Sequence, residues 1–584
     1  MNKPFGLPPL AILLLLACLL FFLGLGELGL TDRDEGSNAE AAREMFETGN
    51  WISPTLNYEP RFAKPALTYW LMSGAYWLLG VNEFAARFHS ALFGFLLILL
   101  QYLFLTRVCG RTLALLASLM LLLNIEIVAI GRLALTDAVL IFFTTLSLFG
   151  FWLGFHGEGR ERHFLWLFYA GMAIGTLTKG PVGVAVPLLA VIPYLTVTRR
   201  WGQFWQRGFP MAGTLLFLLL AVPWYAAMLT IHGSRYTASA HADTIGRFVN
   251  IIGGHGGTVF FYIPILLFGF FPWSGFLPAA LYATFKNWRK ARGETREASG
   301  LNREGKTLTP DALRLTENAS RFTLHVSRDE LDLFAALWLA AVFLFFSLSA
   351  TRLPHYIGPL YPAAAILVAS YWNRCLNDPT TPGIRASIHT LMGLGYLMGF
   401  ALAVSPTLYS AFLDQVTKEY PMGAQVGPGP GPIAIGLVLI IGSALVGYFG
   451  LSEQRRGGAF WAAGSTIVLV LLIAIQIAVP HFSRHFVAPP QTLAYTAGVN
   501  LRPDDRLILY GRPRPSFIFY ARHKAIVVKA GEEANMRPHL SHPGRTMILL
   551  QSRLKPKLPE EAADYHQLLE LSGYTLLSSE PMIK

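Results

Sequence analysis

The chain has 584 residues, which at about 150 residues each would make roughly four soluble domains. Hydrophobic residues make up 53% and charged residues 14%, against about 25% charge in an ordinary soluble protein, and the mean hydropathy is +0.44. A soluble protein is excluded, as is a disordered one by the 13% aromatics; the net charge of +12 is scattered between apolar runs, pointing to anionic lipid and away from nucleic acid.

A bilayer core of about 30 Å needs about 20 apolar residues per helix. That ruler places about thirteen spans, near residues 8–30, 84–105, 112–131, 137–155, 163–178, 182–198, 209–230, 258–284, 332–350, 355–372, 387–409, 432–451 and 460–480. Their recurrence excludes a cleaved signal followed by a secreted enzyme. Lys179-Gly180-Pro181 divides one long apolar stretch into the fifth and sixth spans. Alternate loops hold the basic residues, among them Arg107, Arg111, Arg160, Arg162, Arg199, Arg200, Arg207, Lys286, Arg289, Arg374, Arg385, Arg455 and Arg456, so these loops are expected on the cytoplasmic side. The intervening loops carry most of the acids. With a cytoplasmic N-terminus and odd parity, the region from His481 is expected outside. Cys18 lies in the first apolar run and Cys109 and Cys375 in short basic loops, so no disulfide framework is expected.

Residues 31–83 form the first outer loop. Ser37 and Glu40 have the spacing of a capping box, predicting a short helix with Ala41, Ala42, Met45 and Phe46 on one face, stopped by Gly49, with Asp34 and Glu35 just ahead of it. A second helix is expected from Pro65, directly after Lys64, turning Tyr69, Trp70, Tyr76 and Trp77 to the membrane interface. Carboxylates and an ammonium would thus meet where a lipid-linked phosphate lies. The other outer ends add Arg132, Asp137, Lys179, Arg247, His255, Arg352, His355 and Tyr356. Singly, each reads better as an interfacial anchor or snorkelling cation, since a charge at a helix centre costs about 2.5–3.5 kcal/mol and is relieved near the ends. Collected on one side as acids, bases and aromatics, they point to a site.

After Pro480 the composition becomes that of a soluble domain, residues 481–584, on the outer face. Strands are predicted at Arg506 to Tyr510, Phe517 to Ala521, Ala525 to Lys529 and Thr546 to Leu550, with an amphipathic helix from Glu560 to Leu571. This small α/β domain has no phosphate-binding glycine pattern or metal-ligand spacing and reads as a structural or acceptor-docking lid.

The segments T-D-R-D-E-G-S-N-A-E-A-A-R-E-M from Thr31, G-N-W-I-S-P from Gly49, F-A-K-P-A-L-T-Y-W-L from Phe62 and N-E-F-A-A-R-F from Asn82 resemble the first outer loop of the GT-C glycosyltransferases that use polyprenyl-phosphate sugars. The similarity is to the bacterial lipid A aminoarabinose transferases and their protein mannosyltransferase relatives in particular. R-L-A-L-T-D from Arg132, L-T-K-G-P from Leu177 and T-R-L-P-H-Y-I-G-P-L-Y-P from Thr351 resemble later family blocks in order. The resemblance implies a polytopic α-helical GT-C domain over residues 1–480, in a bacterial inner membrane with a periplasmic site. It would move a sugar from an undecaprenyl-phosphate-type carrier to lipid A or another envelope glycolipid.

Asp34 then takes the place of the catalytic acid and Asp137 that of the second acidic residue. Lys64, Arg247 and Tyr356 take the places of carrier-phosphate ligands, with Arg352 as a further cation. Glu35, Lys179 and His255 are placed with the substrate. Asp34 would deprotonate a hydroxyl acceptor or steady the cationic sugar; toward an acceptor that is already an anionic phosphate it would orient. The family reads F-E-K-P-P where this chain has Phe62-Ala63-Lys64-Pro65-Ala66, and loss of that glutamate argues against a divalent metal; no other cofactor is implied. The alternatives are a protein O-glycosyl (mannosyl) transferase of the same superfamily and a lipid-linked sugar transporter. A transporter would be built of repeats with broken helices around midplane charges, a pattern the sequence lacks.

Overall fold

A computed structural model describes residues 8–32, 34–251, 256–303, 328–378, 380–512 and 514–581. Most of the chain is helical because most of it is apolar for 15 to 30 residues at a time, and a backbone buried in hydrocarbon must satisfy its own hydrogen bonds. Among the described residues, seven helical segments can cross a membrane by length and composition: Glu83–Cys109, Asp137–His156, Pro210–His241, Arg328–Leu348, Ile384–Ala403, Gly431–Gly450 and Glu453–Asn500. Three bent pairs raise the count to as many as ten. The segments expected near 8–30, 163–178 and 355–372 are the shorter helices Pro9–Phe22, Leu165–Lys179 and Tyr361–Asn377. Gly180, at φ +69°, ends the Leu165–Lys179 helix, and Val182–Thr198 follows, so the chain does turn at Lys179.

Polar ties between loops follow the expected alternation. Arg107 pairs with Glu161, Arg200 with Glu330, Arg374 with Asp332 and Arg385 with Glu453, all between loops of the basic set or the helix ends beside them. At the other end Ser53 bonds His232, Tyr520 donates to Glu83, and Asn57 and Ala525 exchange two bonds of 2.8 Å.

The first outer loop is more deeply packed than its sequence pattern predicts. Its helix, Asp34–Thr48, begins three residues before the capping-box serine, so Asp34 and Glu35 form its first turn instead of preceding it. Ser37 is buried and Glu40 is bonded to Arg43 at 2.7 Å, leaving neither for capping. Tertiary burial on nearly every side sets the start of this helix. Its end is as predicted: Gly49 has φ +70° and donates to the Met45 carbonyl. The second helix is Leu67–Leu79, and its aromatic face is divided. Tyr69 and Tyr76 are buried, Tyr76 donating to the Ala39 carbonyl at 3.2 Å, whereas Trp77 is 75% exposed and alone keeps the expected outward position for a full ring. The interior preferred the tyrosines because their hydroxyls found partners there.

The expected boundary at 481 falls inside a helix. The segment Glu453–Asn500 runs on from the last span, with π turns at Ala474–Ala478 and Ser483–Val487, and delivers the chain into a five-stranded sheet. The sheet order is Ala525–Val528, Arg506–Tyr510, Thr546–Gln551, Tyr574–Ser578, His566–Leu571, the first three parallel and the last two antiparallel. Two local predictions fail. Phe517 to Ala521 lies in the helix Pro515–Ala521, since an unbroken apolar run has no period of its own and Pro515 favours a helical first turn. Glu560 to Leu571 is a 3-10 turn, Glu560–Ala562, followed by the strand His566–Leu571. Ser572 and Gly573, both at positive φ, close a two-residue hairpin from Leu571 to Tyr574, which turns the segment into a strand.

Candidate active site

Two helix ends create the charged centre. Asp137 is the first residue of Asp137–His156 and Lys179 the last of Leu165–Lys179, so each charge complements its helix dipole. They meet at 2.6 Å, with Asp137 buried. His355 approaches the other carboxylate oxygen at 3.8 Å, and the Lys179 ammonium stands 4.5 Å from the centre of the Tyr356 ring. Lys179 and Tyr356 of this network line a cavity of about 490 Å³.

At one end the cavity presents Lys64, Lys179, Arg247, Asp243 and Tyr356; its walls include Leu140, Val182, Phe248, Phe345 and Phe346. Lys64 stands in the bend ahead of the Leu67–Leu79 helix and is half-buried. Burial first, then the nearby ammonium of Lys179, holds its amine at about 8, below the ordinary lysine value; Asp34 and Asp137 oppose this only in part. Arg247 is gripped by Asp243, one helical turn earlier, at 2.9 Å, and its carbonyl accepts from the Thr351 amide at 3.1 Å, which ties it to the segment entering the 3-10 helix Pro354–Leu360 that carries His355 and Tyr356. Asp34 is exposed at the start of its helix, and its charge acts on both Lys64 and His355. It makes no hydrogen bond among the described residues.

Thus Asp34, Lys64, Asp137, Lys179, Arg247 and Tyr356 gather in or at the edge of one cavity. Two other expected site residues do not. Glu35 turns away and is buried: its carboxylate bonds Arg87 at 2.8 Å, the Ala134 amide at 2.7 Å and the Thr31 hydroxyl at 2.6 Å. Successive helical residues point about 100° apart, so Asp34 and Glu35 cannot both face the site. Arg352 is buried beside the cavity, donating to the carbonyls of Gly257 and Ser347, the latter at 3.0 Å, and clamps backbone instead of phosphate. His255 lies outside the described residues. The structure adds Asp243, and it sets His355, named above among the outer ends, against Asp137; the D-T-I-G-R spacing, an acid four residues before an arginine, was the sequence signal for Asp243.

Glu35→Gln is expected to act through stability. It leaves the Arg87 guanidinium buried without its counter-charge, a loss of about 3–5 kcal/mol for a broken buried pair. Thermal unfolding in detergent should shift down by many degrees while surviving protein binds donor normally; an unchanged melting temperature would remove this role.

Among the described residues no three His, Cys, Asp or Glu side chains gather to hold a metal. Asp137 is already held by an ammonium and an imidazole, and Ala63 offers no ligand, so this donor set does not fit a divalent cation. The arrangement instead suits an amphipathic anion, with its phosphate among cations and its hydrocarbon along the aromatic wall.

Residues 12–237 match the family of dolichyl-phosphate-mannose-protein mannosyltransferases. The undecaprenyl phosphate-alpha-4-amino-4-deoxy-L-arabinose arabinosyl transferase of Edwardsiella ictaluri is 28% identical over 451 residues, 76% of this chain and 72% of that protein. Its namesake from Yersinia pestis is 27% identical over 470 residues, 80% and 76% of the two chains. ArnT from Cupriavidus metallidurans, whose crystal structure contains undecaprenyl phosphate, superposes with a TM-score of 0.73 over 97% of each chain at 22% identity, which establishes a common fold.

Proposed function

We propose that this chain, a multi-pass membrane glycosyltransferase of the GT-C superfamily, moves an aminoarabinose-type pentose from an undecaprenyl-phosphate carrier to a phosphate of lipid A or a closely similar envelope glycolipid. The observation that carries this reading is the union, in one cavity, of Lys64, Lys179 and Arg247 with an aromatic and aliphatic wall. A polyprenyl phosphate needs both. The names of the similar proteins support the pentose and the carrier.

In transfer, the bond from the anomeric carbon to the carrier oxygen breaks and its electron pair leaves on the phosphate. Lys64 and Arg247 lie where they can take up that developing negative charge without reorganising, and Lys179, held by Asp137, keeps a second ammonium in register. The acceptor oxygen attacks from the side of Asp34, which orients an anionic acceptor and steadies the positive sugar. A hydroxyl acceptor would pass its proton to the same carboxylate. The thirteen-span count, the inner-membrane location and a periplasmic face for the cavity and the C-terminal domain belong to this proposal. The segregation of polar ties by loop parity supports them.

The orientation is checked by fusing, after Lys584, a reporter active only in the cytoplasm; it should be silent, and strong signal would reverse the topology. The reaction is checked by incubating purified protein with labelled undecaprenyl-phosphate sugars and envelope acceptors, then identifying the product by mass spectrometry. Modified lipid A is expected. Label recovered only on protein would favour O-glycosyl transfer to protein, and none on any acceptor would remove the reading.

A further inference from the structure

The C-terminal sheet contains a feature that a simple lid does not need. From the Arg506–Tyr510 strand the chain passes through the Pro515–Ala521 helix to Ala525–Val528 on one side, and later returns to Thr546–Gln551 on the other side of that first strand. The direction of winding reverses between Arg506–Tyr510 and Thr546–Gln551. In open parallel sheets the crevice outside the carboxyl ends of the strands at such a reversal is where ligands bind. Here a small pocket lies between the ends of these two strands, and it shares Arg512, Arg514 and Phe517 with a cleft of about 260 Å³.

That cleft is closed on its far side by the membrane domain, through Thr31, Asp32, Glu419 and Tyr420. Asp32 stands two residues before Asp34. The sheet domain is docked tightly there: a β-carbon on Gly36 would fall 2.6 Å from the Ser516 nitrogen, and Ser516 bonds Asp32 through both its amide and its hydroxyl. Arg514 is buried, faces Asp32 at 3.4 Å and the Glu419 carbonyl at 3.0 Å, and is fixed against Phe517 and Tyr574. Arg512 is 57% exposed and paired with the half-exposed carboxylate of Glu419. Glu419, the last residue of the helix Leu413–Glu419, thus touches both guanidiniums with a half-exposed carboxylate, and a stronger, more highly charged anion can displace it. Phe486, Val487 and Pro490 give the cleft an apolar side.

We propose that this cleft is a second ligand site, taking the phosphorylated sugar head group of the glycolipid acceptor on Arg512 and Arg514 and presenting it to Asp34. The site deepens the proposed function and rests on it for the identity of the acceptor. The cleft lies at the sheet's switch point and includes Asp32, two residues before Asp34, whereas the carrier cavity includes Lys64, on which the charge of Asp34 acts, and the two share no lining residue. Donor and acceptor therefore approach from separate chambers.

The test is binding of lipid A in nanodiscs to the full chain, beside lipid A stripped of both phosphates and inorganic phosphate. The wild type should prefer the phosphorylated lipid by roughly ten- to hundred-fold, the usual range for a charge-assisted contact. Arg512→Gln should remove that preference, Arg512→Lys should restore part of it, and Glu419→Gln should strengthen binding several-fold. In turnover, Arg512→Gln should raise the acceptor KM and leave the donor KM unchanged. An undiminished preference for phosphorylated lipid in Arg512→Gln overturns the site. Inorganic phosphate binding as tightly as the lipid assigns the cleft to the free ion and overturns the head group. Because binding is read without transfer, a failure of the proposed reaction would leave this result standing by itself.

Discussion

Asp34→Asn is expected to lose turnover by roughly 100-fold or more while carrier-lipid binding persists. The substitution keeps the size of the side chain and removes its charge. Asp34 is exposed, bonded to nothing among the described residues, and begins a helix whose remaining side chains are mostly buried. Folding therefore gains little from it, so a loss in the Asn variant reports chemistry. Its charge acts on Lys64 and on His355, the two groups at the edge of the phosphate cavity. Transfer rates with saturating donor, together with a donor binding titration, separate the two effects. Near-normal transfer with intact binding would show that the carboxylate is only a helix-entry residue.

Lys64→Ala is expected to weaken donor binding by roughly ten- to hundred-fold, since a charge-assisted contact to an anion is worth about 1.5–3 kcal/mol. The wild type should also show a pH signature. The Lys64 amine is held at about 8, lowered by burial and by the ammonium of Lys179. Below that value the ammonium is present and binds phosphate; above it the neutral amine must first take up a proton. Donor affinity should therefore fall as pH rises through about 8, by up to about tenfold per unit, with proton uptake on binding. Lys64→Arg should abolish this slope and keep the affinity. Titration calorimetry with an undecaprenyl-phosphate sugar in buffers of different ionisation enthalpy measures both quantities, and unchanged donor affinity in Lys64→Ala would rule out the role.

The readable part of this protein was the part governed by local rules. The spans follow from runs of apolar residues, the break at Lys179 from Gly180-Pro181, and the helix end at Gly49 from a residue that tolerates positive φ. The grouping of Lys64, Asp137, Lys179 and Tyr356 was legible through the resemblance because each stands in a short, distinctive motif. What was hidden depended on partners distant in sequence. Nothing near Glu35 announces that Arg87 will bury it, and nothing in T-R-L-P-H-Y tells that Arg352 will hold the Gly257 and Ser347 carbonyls while its neighbour Tyr356 faces the cavity. Phe517 to Ala521 fits a strand or a helix equally by pattern, and only its seat between the sheet and the Asp34–Thr48 helix decides.

The unbroken passage of the Glu453–Asn500 segment from bilayer to sheet domain makes the two parts a crank on a common shaft. A flexible tether would let the domain turn without consequence to the membrane part. A helix does not: each residue advances it by about 1.5 Å and turns it by about 100°. Adding one residue between Ala488 and Asn500 would swing the whole sheet around that axis and carry Ser516 and Arg514 away from Asp32, although no residue of either contact had changed. The phase of this helix is thus a dimension of the protein in its own right.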